Sequence, residues 1–85
     1  MNRRKLLLRL AGGSVQNVAF RDFVSLLEGF GFHVARVNGS HHVFVHADIL
    51  ELVNLQNVDG QAKPYQIRQF LRLIERYNMK LEGEP

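Results

Sequence analysis

Phe32-His33-Val34-Ala35-Arg36-Val37-Asn38-Gly39-Ser40-His41-His42-Val43-Phe44-Val45-His46 is the stretch on which the fold turns. Its two arms are rich in β-branched and aromatic residues, which fit a pleated surface. Asn38-Gly39 stands between them. Both residue types tolerate positive φ, so the pair is a strong short-range hairpin signal. The turn is expected to run on into Ser40. The first arm predicts a strand over Phe32 to Val37, with Phe32, Val34 and Arg36 pointing one way and His33, Ala35 and Val37 the other. The second predicts a strand over His41 to His46.

Upstream, Phe20, Phe23, Leu26, Leu27 and Phe30 recur at spacings of three and four. That is one apolar stripe of an amphipathic helix, and it is expected to face a core. The helix is expected from Val18 to Gly29, with Asn17 as N-cap and Gly29 and Gly31 as its stop. Downstream, Ala47-Asp48-Ile49-Leu50 reads as a connection and Glu51 to Leu55 as a third strand. Asn57 to Lys63 reads as a polar loop around Asp59-Gly60. Pro64 opens the last helix, because its missing N–H costs nothing at the first helical position. Ile67, Phe70, Leu71, Ile74 and Tyr77 form the apolar stripe of that helix. Gln66, Arg68, Gln69, Arg72, Glu75 and Arg76 lie largely off it.

The order helix, three antiparallel strands, helix predicts a small two-layer α+β domain of the double-stranded-RNA-binding type. Ala11-Gly12-Gly13-Ser14 punctuates the chain before it. Residues 1–14 are therefore expected to be a short basic N-terminal extension, residues 15–81 the domain, and residues 82–85 a tail. A length of 85 residues fits one such domain and not two.

Composition excludes several kinds of chemistry. The chain has no cysteine, so it has no disulfide, no thiolate nucleophile and no Cys-ligated zinc. The start, Met1-Asn2-Arg3-Arg4-Lys5-Leu6-Leu7-Leu8-Arg9, is basic like a secretory leader, but Arg9 cuts the apolar run short. No stretch is long enough to span a bilayer. A cytoplasmic protein with no membrane partner is expected. The formal charge of +3 suits a polyanionic partner without demanding one.

The histidines carry the chemistry. His41, His42 and His46 fall within one strand, and His33 lies on the strand before it. A metal site is one reading. It needs three or four convergent ligands, and neither a His-x-His pair nor an obviously aimed carboxylate is present, so no metal and no cofactor is expected. Packing is a second reading, and His33 and His46 are assigned to it. RNA contact without chemistry is a third, since imidazole stacks on bases and donates to phosphate. Acid–base catalysis is the fourth. Imidazole exchanges a proton near neutral pH. RNA carries its own nucleophile, the 2′-hydroxyl, so its cleavage needs a proton acceptor, a proton donor and positive charge.

The glycine turn suits this fourth reading. Gly39 allows close approach of a phosphate, and the Ser40 hydroxyl can donate to one. If Phe44 faces the core, His42 and His46 point inward with it and His41 points out at the end of the hairpin. Were Val43 and Val45 the core residues, His42 would be the outward one. His41 is the first choice and His42 the second. Lys63 stands at the start of the last helix, where N–H groups attract anions. Arg68 shares that helix and Tyr65 can stack on a base. Gly39, Ser40, His42, Lys63, Tyr65 and Arg68 are thus the expected RNA-binding set.

Gly39-Ser40-His41-His42-Val43-Phe44-Val45-His46, with an amphipathic helix and a short strand before it, resembles the signature of the HicA family of toxins. The resemblance runs from about Phe20 to Leu81. It implies metal-independent cleavage of mRNA, one essential histidine in this turn that carries onto His41, and a HicB-like antitoxin as partner.

Overall fold

A computed structural model describes residues 2–81. The elements run α1 (Arg3–Ala11), α2 (Phe20–Gly29), β1 (His33–Asn38), β2 (His41–His46), β3 (Ile49–Val58), β4 (Gln61–Ala62) and α3 (Pro64–Arg76). The strands form one antiparallel sheet in the order β1-β2-β3-β4. The expected helix, antiparallel sheet and helix are present, with a further short strand and a further helix. The expected tail, residues 82–85, lies outside the described residues. None of the described helices is long and apolar enough to cross a membrane.

One core joins all layers. Phe23, Leu26 and Leu27 of α2, Phe44 of β2, Val53 and Leu55 of β3, and Ile67 and Phe70 of α3 are buried together. Phe70 is its hub. Its ring meets Phe23, Phe30 and Phe32 edge-on, at centroid distances of 5.5, 5.7 and 5.6 Å. Edge-to-face contacts match the positive rim of one ring to the negative face of another.

The hairpin closes through Gly39 and Ser40, with Asn38 and His41 as the flanking pair. Gly39 adopts φ 62°, the sign that a two-residue hairpin turn requires at its first position. The turn thus sits one residue later than Asn38-Gly39. Ala35 has no partner on β2, and this bulge shifts the register between Val34 and Arg36. The simple alternation expected for the first strand therefore breaks there.

Several elements depart from the sequence reading, each for a local reason. The second hairpin turns through Ala47-Asp48 alone, so β3 starts at Ile49 and absorbs much of the expected connection. Asp59 and Gly60 both take positive φ, at 52° and 84°, which is the geometry of a tight hairpin turn. They fold Gln61-Ala62 back onto Asn57-Val58, and the expected polar loop contains β4.

That return also sets the start of α2. Phe20 N–H donates to Gly60 O at 2.8 Å, and Ala62 N–H donates to Val18 O at 2.9 Å. The N-cap is Ala19, without a side-chain cap, because a backbone carbonyl satisfies the first free donor. Asn17, the expected cap, lies upstream in the left-handed region at φ 57°.

The basic N-terminal segment is helical and packed. The Asn2 side chain caps α1 by accepting from Lys5 N–H at 3.0 Å. Leu6 and Leu10 enter the common core, and Arg3 Nε donates to Ser25 Oγ at 3.0 Å. Ile67, Phe70 and Ile74 of the α3 stripe are buried as expected, but Gln66 and Leu73 are buried too, and Tyr77, the C-cap just after the helix, is exposed.

Candidate active site

Phe44 decides the orientation of β2. It is 1% exposed, so its face of the strand is the core face. His42 shares that face. It is half-buried, with its ring centroid 4.8 Å from that of Phe20 and 6.5 Å from that of Phe44. His46 shares it too. Its ring lies 5.1 Å from Phe32, and its Nδ1 accepts from Asp48 N–H at 3.0 Å in the turn to β3. Both histidines hold local structure together.

His41 takes the opposite face, at the mouth of the hairpin, and is exposed. Among the described residues no side-chain hydrogen bond, ion pair or ring contact engages it. Its neighbours in the ladder are Asn38 on β1 and Gln56 on β3. Ser40, before it, is exposed, and its carbonyl accepts from Asn57 N–H at 2.8 Å. A side chain added at Gly39 would meet nothing within 4 Å. The backbone beside His41 is therefore open to an approaching group.

The start of α3 reaches the same end of the sheet. Gln56 N–H donates to Gln66 Oε1 at 2.9 Å, and Gln66 Nε2 donates to Tyr65 Oη at 3.4 Å. Lys63, the N-cap of α3, sets its ammonium 5.4 Å from the centre of the Tyr65 ring. Tyr65 is 51% exposed and Arg68 is exposed one turn on. A short chain of contacts thus runs from the strand beside His41 to Tyr65 and Lys63. Sequence periodicity missed Gln56 and Gln66. Nothing in a helical stripe marks a glutamine whose partner is a backbone N–H on a distant strand.

Among the described residues no group of three or more His, Cys, Asp and Glu side chains is arranged to hold a metal ion. A second polar cluster lies at the far end of the sheet, where Glu51 accepts from Tyr77 Oη and from Arg76 Nη1. The hydrogen bond from Tyr77 holds the Glu51 carboxyl below the usual carboxylate range, and the same bond pushes the Tyr77 phenol up. The cluster ties α3 to β3 and stands apart from His41.

A family model described as the HicA toxin of bacterial toxin–antitoxin matches residues 20–75. The match takes in α2, the histidine hairpin and nearly all of α3. The chain belongs to the HicA toxin family. It is thus a toxin-type member of a toxin–antitoxin family, and an antitoxin is its general class of partner. Comparison with curated proteins and with solved structures finds no match.

Proposed function

We propose that this HicA-family chain is a ribonuclease that cleaves mRNA by acid–base catalysis at His41, and that a HicB-like antitoxin neutralises it by covering that histidine. The observation that carries the reading is the unengaged, exposed imidazole of His41 at an open glycine turn, inside the matched region.

The chemistry needs little more from the protein. Neutral imidazole accepts the proton of a ribose 2′-hydroxyl as that oxygen attacks the adjoining phosphorus. The bond from phosphorus to the 5′-oxygen breaks. The imidazolium then stands ready to return the proton to the leaving oxygen. The products are a 2′,3′-cyclic phosphate and a 5′-hydroxyl. The Ser40 hydroxyl and the open backbone at Gly39 serve the phosphate, and charge placed where it develops is the largest aid to such a step. Lys63, Tyr65 and Arg68 complete the proposed RNA-binding set. His42, expected in it from the sequence, packs against Phe20 on the face opposite His41 and is left out.

The experiment is incubation of the purified full chain with mRNA in EDTA. The expected result is cleavage with cyclic-phosphate ends, lost by about 100-fold or more in His41→Ala. Full activity in His41→Ala would remove His41 from the chemistry. RNA binding that weakens with salt, with no cleavage by the wild type, would replace the enzyme with a non-catalytic RNA-binding module on the same fold.

A further inference from the structure

Among the described residues, β2 and β3 bury one face towards the helices and leave the other bare, while β1 is exposed on both faces, with Val34 and Val37 exposed even on the side that holds Phe44. Asn38, His41 and Gln56 stand in one row across β1, β2 and β3, and Arg36, Val43 and Asn54 form the next. Directly paired residues share a face, and the buried Phe44, Val53 and Leu55 take the opposite one. On the bare face Arg36, Asn38, His41 and Asn54 are exposed, and Val43 and Gln56 are half-buried. Among the described residues no side-chain hydrogen bond or ion pair engages Arg36, Asn38 or Asn54, and the Gln56 carboxamide is likewise unengaged. One guanidinium and three carboxamides thus surround His41 with their donors and acceptors unspent.

We propose that this bare face is the RNA-binding surface, and that Arg36, Asn38, Asn54 and Gln56 hold single-stranded RNA on either side of His41. The proposal rests on the ribonuclease reading and adds to it the preference for an unpaired strand and the residues that hold it. A phosphate within hydrogen-bond reach of His41 must lie on the face to which His41 points. The nucleotides beside it then lie along the same rows. Alternate residues on a strand stand about 7 Å apart, close to the spacing of successive phosphates in a single strand. Arg36 offers a planar fork to one phosphate. Carboxamides suit base edges and ribose hydroxyls, and a duplex hides those base edges. With a single cation among these residues, the face is poorly built for the dense phosphates of a duplex. A duplex also holds the 2′-oxygen out of line with the leaving 5′-oxygen, whereas a single strand is free to align them.

The test is fluorescence anisotropy with the full chain and a labelled single-stranded RNA carrying 2′-O-methyl groups throughout. That probe lacks the nucleophile and survives the measurement. Arg36→Ala is expected to weaken binding about tenfold and to lower the salt slope by about one phosphate contact. Arg36→Lys is expected to keep the slope while losing part of the affinity. Asn54→Ala and Gln56→Ala are expected to weaken binding several-fold at an unchanged slope. Arg72→Ala, on α3, is expected to bind as the wild type does, and duplex RNA is expected to bind at least tenfold more weakly. Circular dichroism of each variant separates a lost contact from a lost fold.

Wild-type affinity in Arg36→Ala and Asn54→Ala, in a chain that still cleaves unmodified RNA, would overturn the bare-face track and leave the ribonuclease standing. Loss confined to Lys63→Ala and Arg68→Ala would move the strand to α3. Loss of antitoxin binding alone, with RNA binding intact, would make the face a protein interface. Failure of the wild type to cleave any RNA would instead remove the reading on which the proposal rests.

Discussion

The backbone N–H of Gln56 donates to the side chain of Gln66 at 2.9 Å, and this bond fastens the start of α3 to the strand that pairs with His41. Gln66 is the single polar residue among the buried ones of the described chain, and that partner offsets its burial. Removing the side chain leaves a partly buried N–H without an acceptor, which costs about 1–3 kcal/mol. Gln66→Ala is therefore expected to lower the melting temperature by several degrees, since about 1 kcal/mol moves a domain of this size by 4–8 °C. Gln66→Glu keeps an acceptor and is expected to lose less. Thermal unfolding by circular dichroism measures both. Equal melting temperatures for wild type and Gln66→Ala would show that the bond contributes nothing.

Leu10 tests whether α1 belongs to the body of the domain. It is 1% exposed, in the same core as α2 and α3. Truncating a fully buried leucine costs about 2–5 kcal/mol. A domain this small has little more than that in reserve. Leu10→Ala is expected to unfold at markedly lower urea, whereas Leu8→Ala, at a position 67% exposed, is expected to unfold as the wild type does. Coincident urea curves for Leu10→Ala and wild type would make α1 an appendage.

The hairpin, both longer helices and the outward pointing of His41 were legible in the sequence because each rests on a local pattern. Asn38-Gly39 marks the hairpin to within one residue of its Gly39-Ser40 turn, the bulk of Phe44 assigns the core face of β2, and the stripes of α2 and α3 carry the period of a helix. What escaped depends on partners far along the chain. Gln61-Ala62 is too short and polar to announce a strand, and it is one because it lies between Asn57-Val58 and the segment before Phe20. A nine-residue helix such as α1 is unstable alone in water, and Leu6 and Leu10 hold it through tertiary contacts. Alternation along a strand separates two faces, but it does not tell which amides on the bare face go without partners.

Tyr77 and Glu51 give the domain a pH signature. Glu51 is held below its ordinary 4.5, so its contribution is present above that value and is lost as pH falls through the lower folded value. Tyr77 is held above its ordinary 10.0, so its contribution is present below that value and is lost as pH rises through the higher folded value. The difference in melting temperature between wild type and Tyr77→Phe is expected to be largest between 4.5 and 10.0 and to shrink towards both extremes. Both side chains are solvent-facing, so the difference is small throughout. A gap that stays constant across the whole titration would mean that the bond does not bear on stability.

His41 and His42 are adjacent in sequence and opposite in environment, and a pair of matched substitutions separates their roles. His42 lies against Phe20 with centroids 4.8 Å apart, on the helix-covered face. His41 is exposed on the bare face. His42→Phe keeps a ring of similar shape against Phe20 and gives up only the titratable nitrogens. It is expected to melt close to the wild type and to cleave RNA within a few-fold of its rate. His42→Ala removes the ring and is expected to cost about 1 kcal/mol of stability beyond the lost area. His41→Phe leaves that packing untouched and is expected to melt as the wild type does, while cleavage falls by about 100-fold or more. The decisive comparison is cleavage by the two phenylalanine variants at equal folded fraction. Inactive His42→Phe beside active His41→Phe would transfer the chemistry to His42, and the RNA would then have to reach the reacting group from the side of α2.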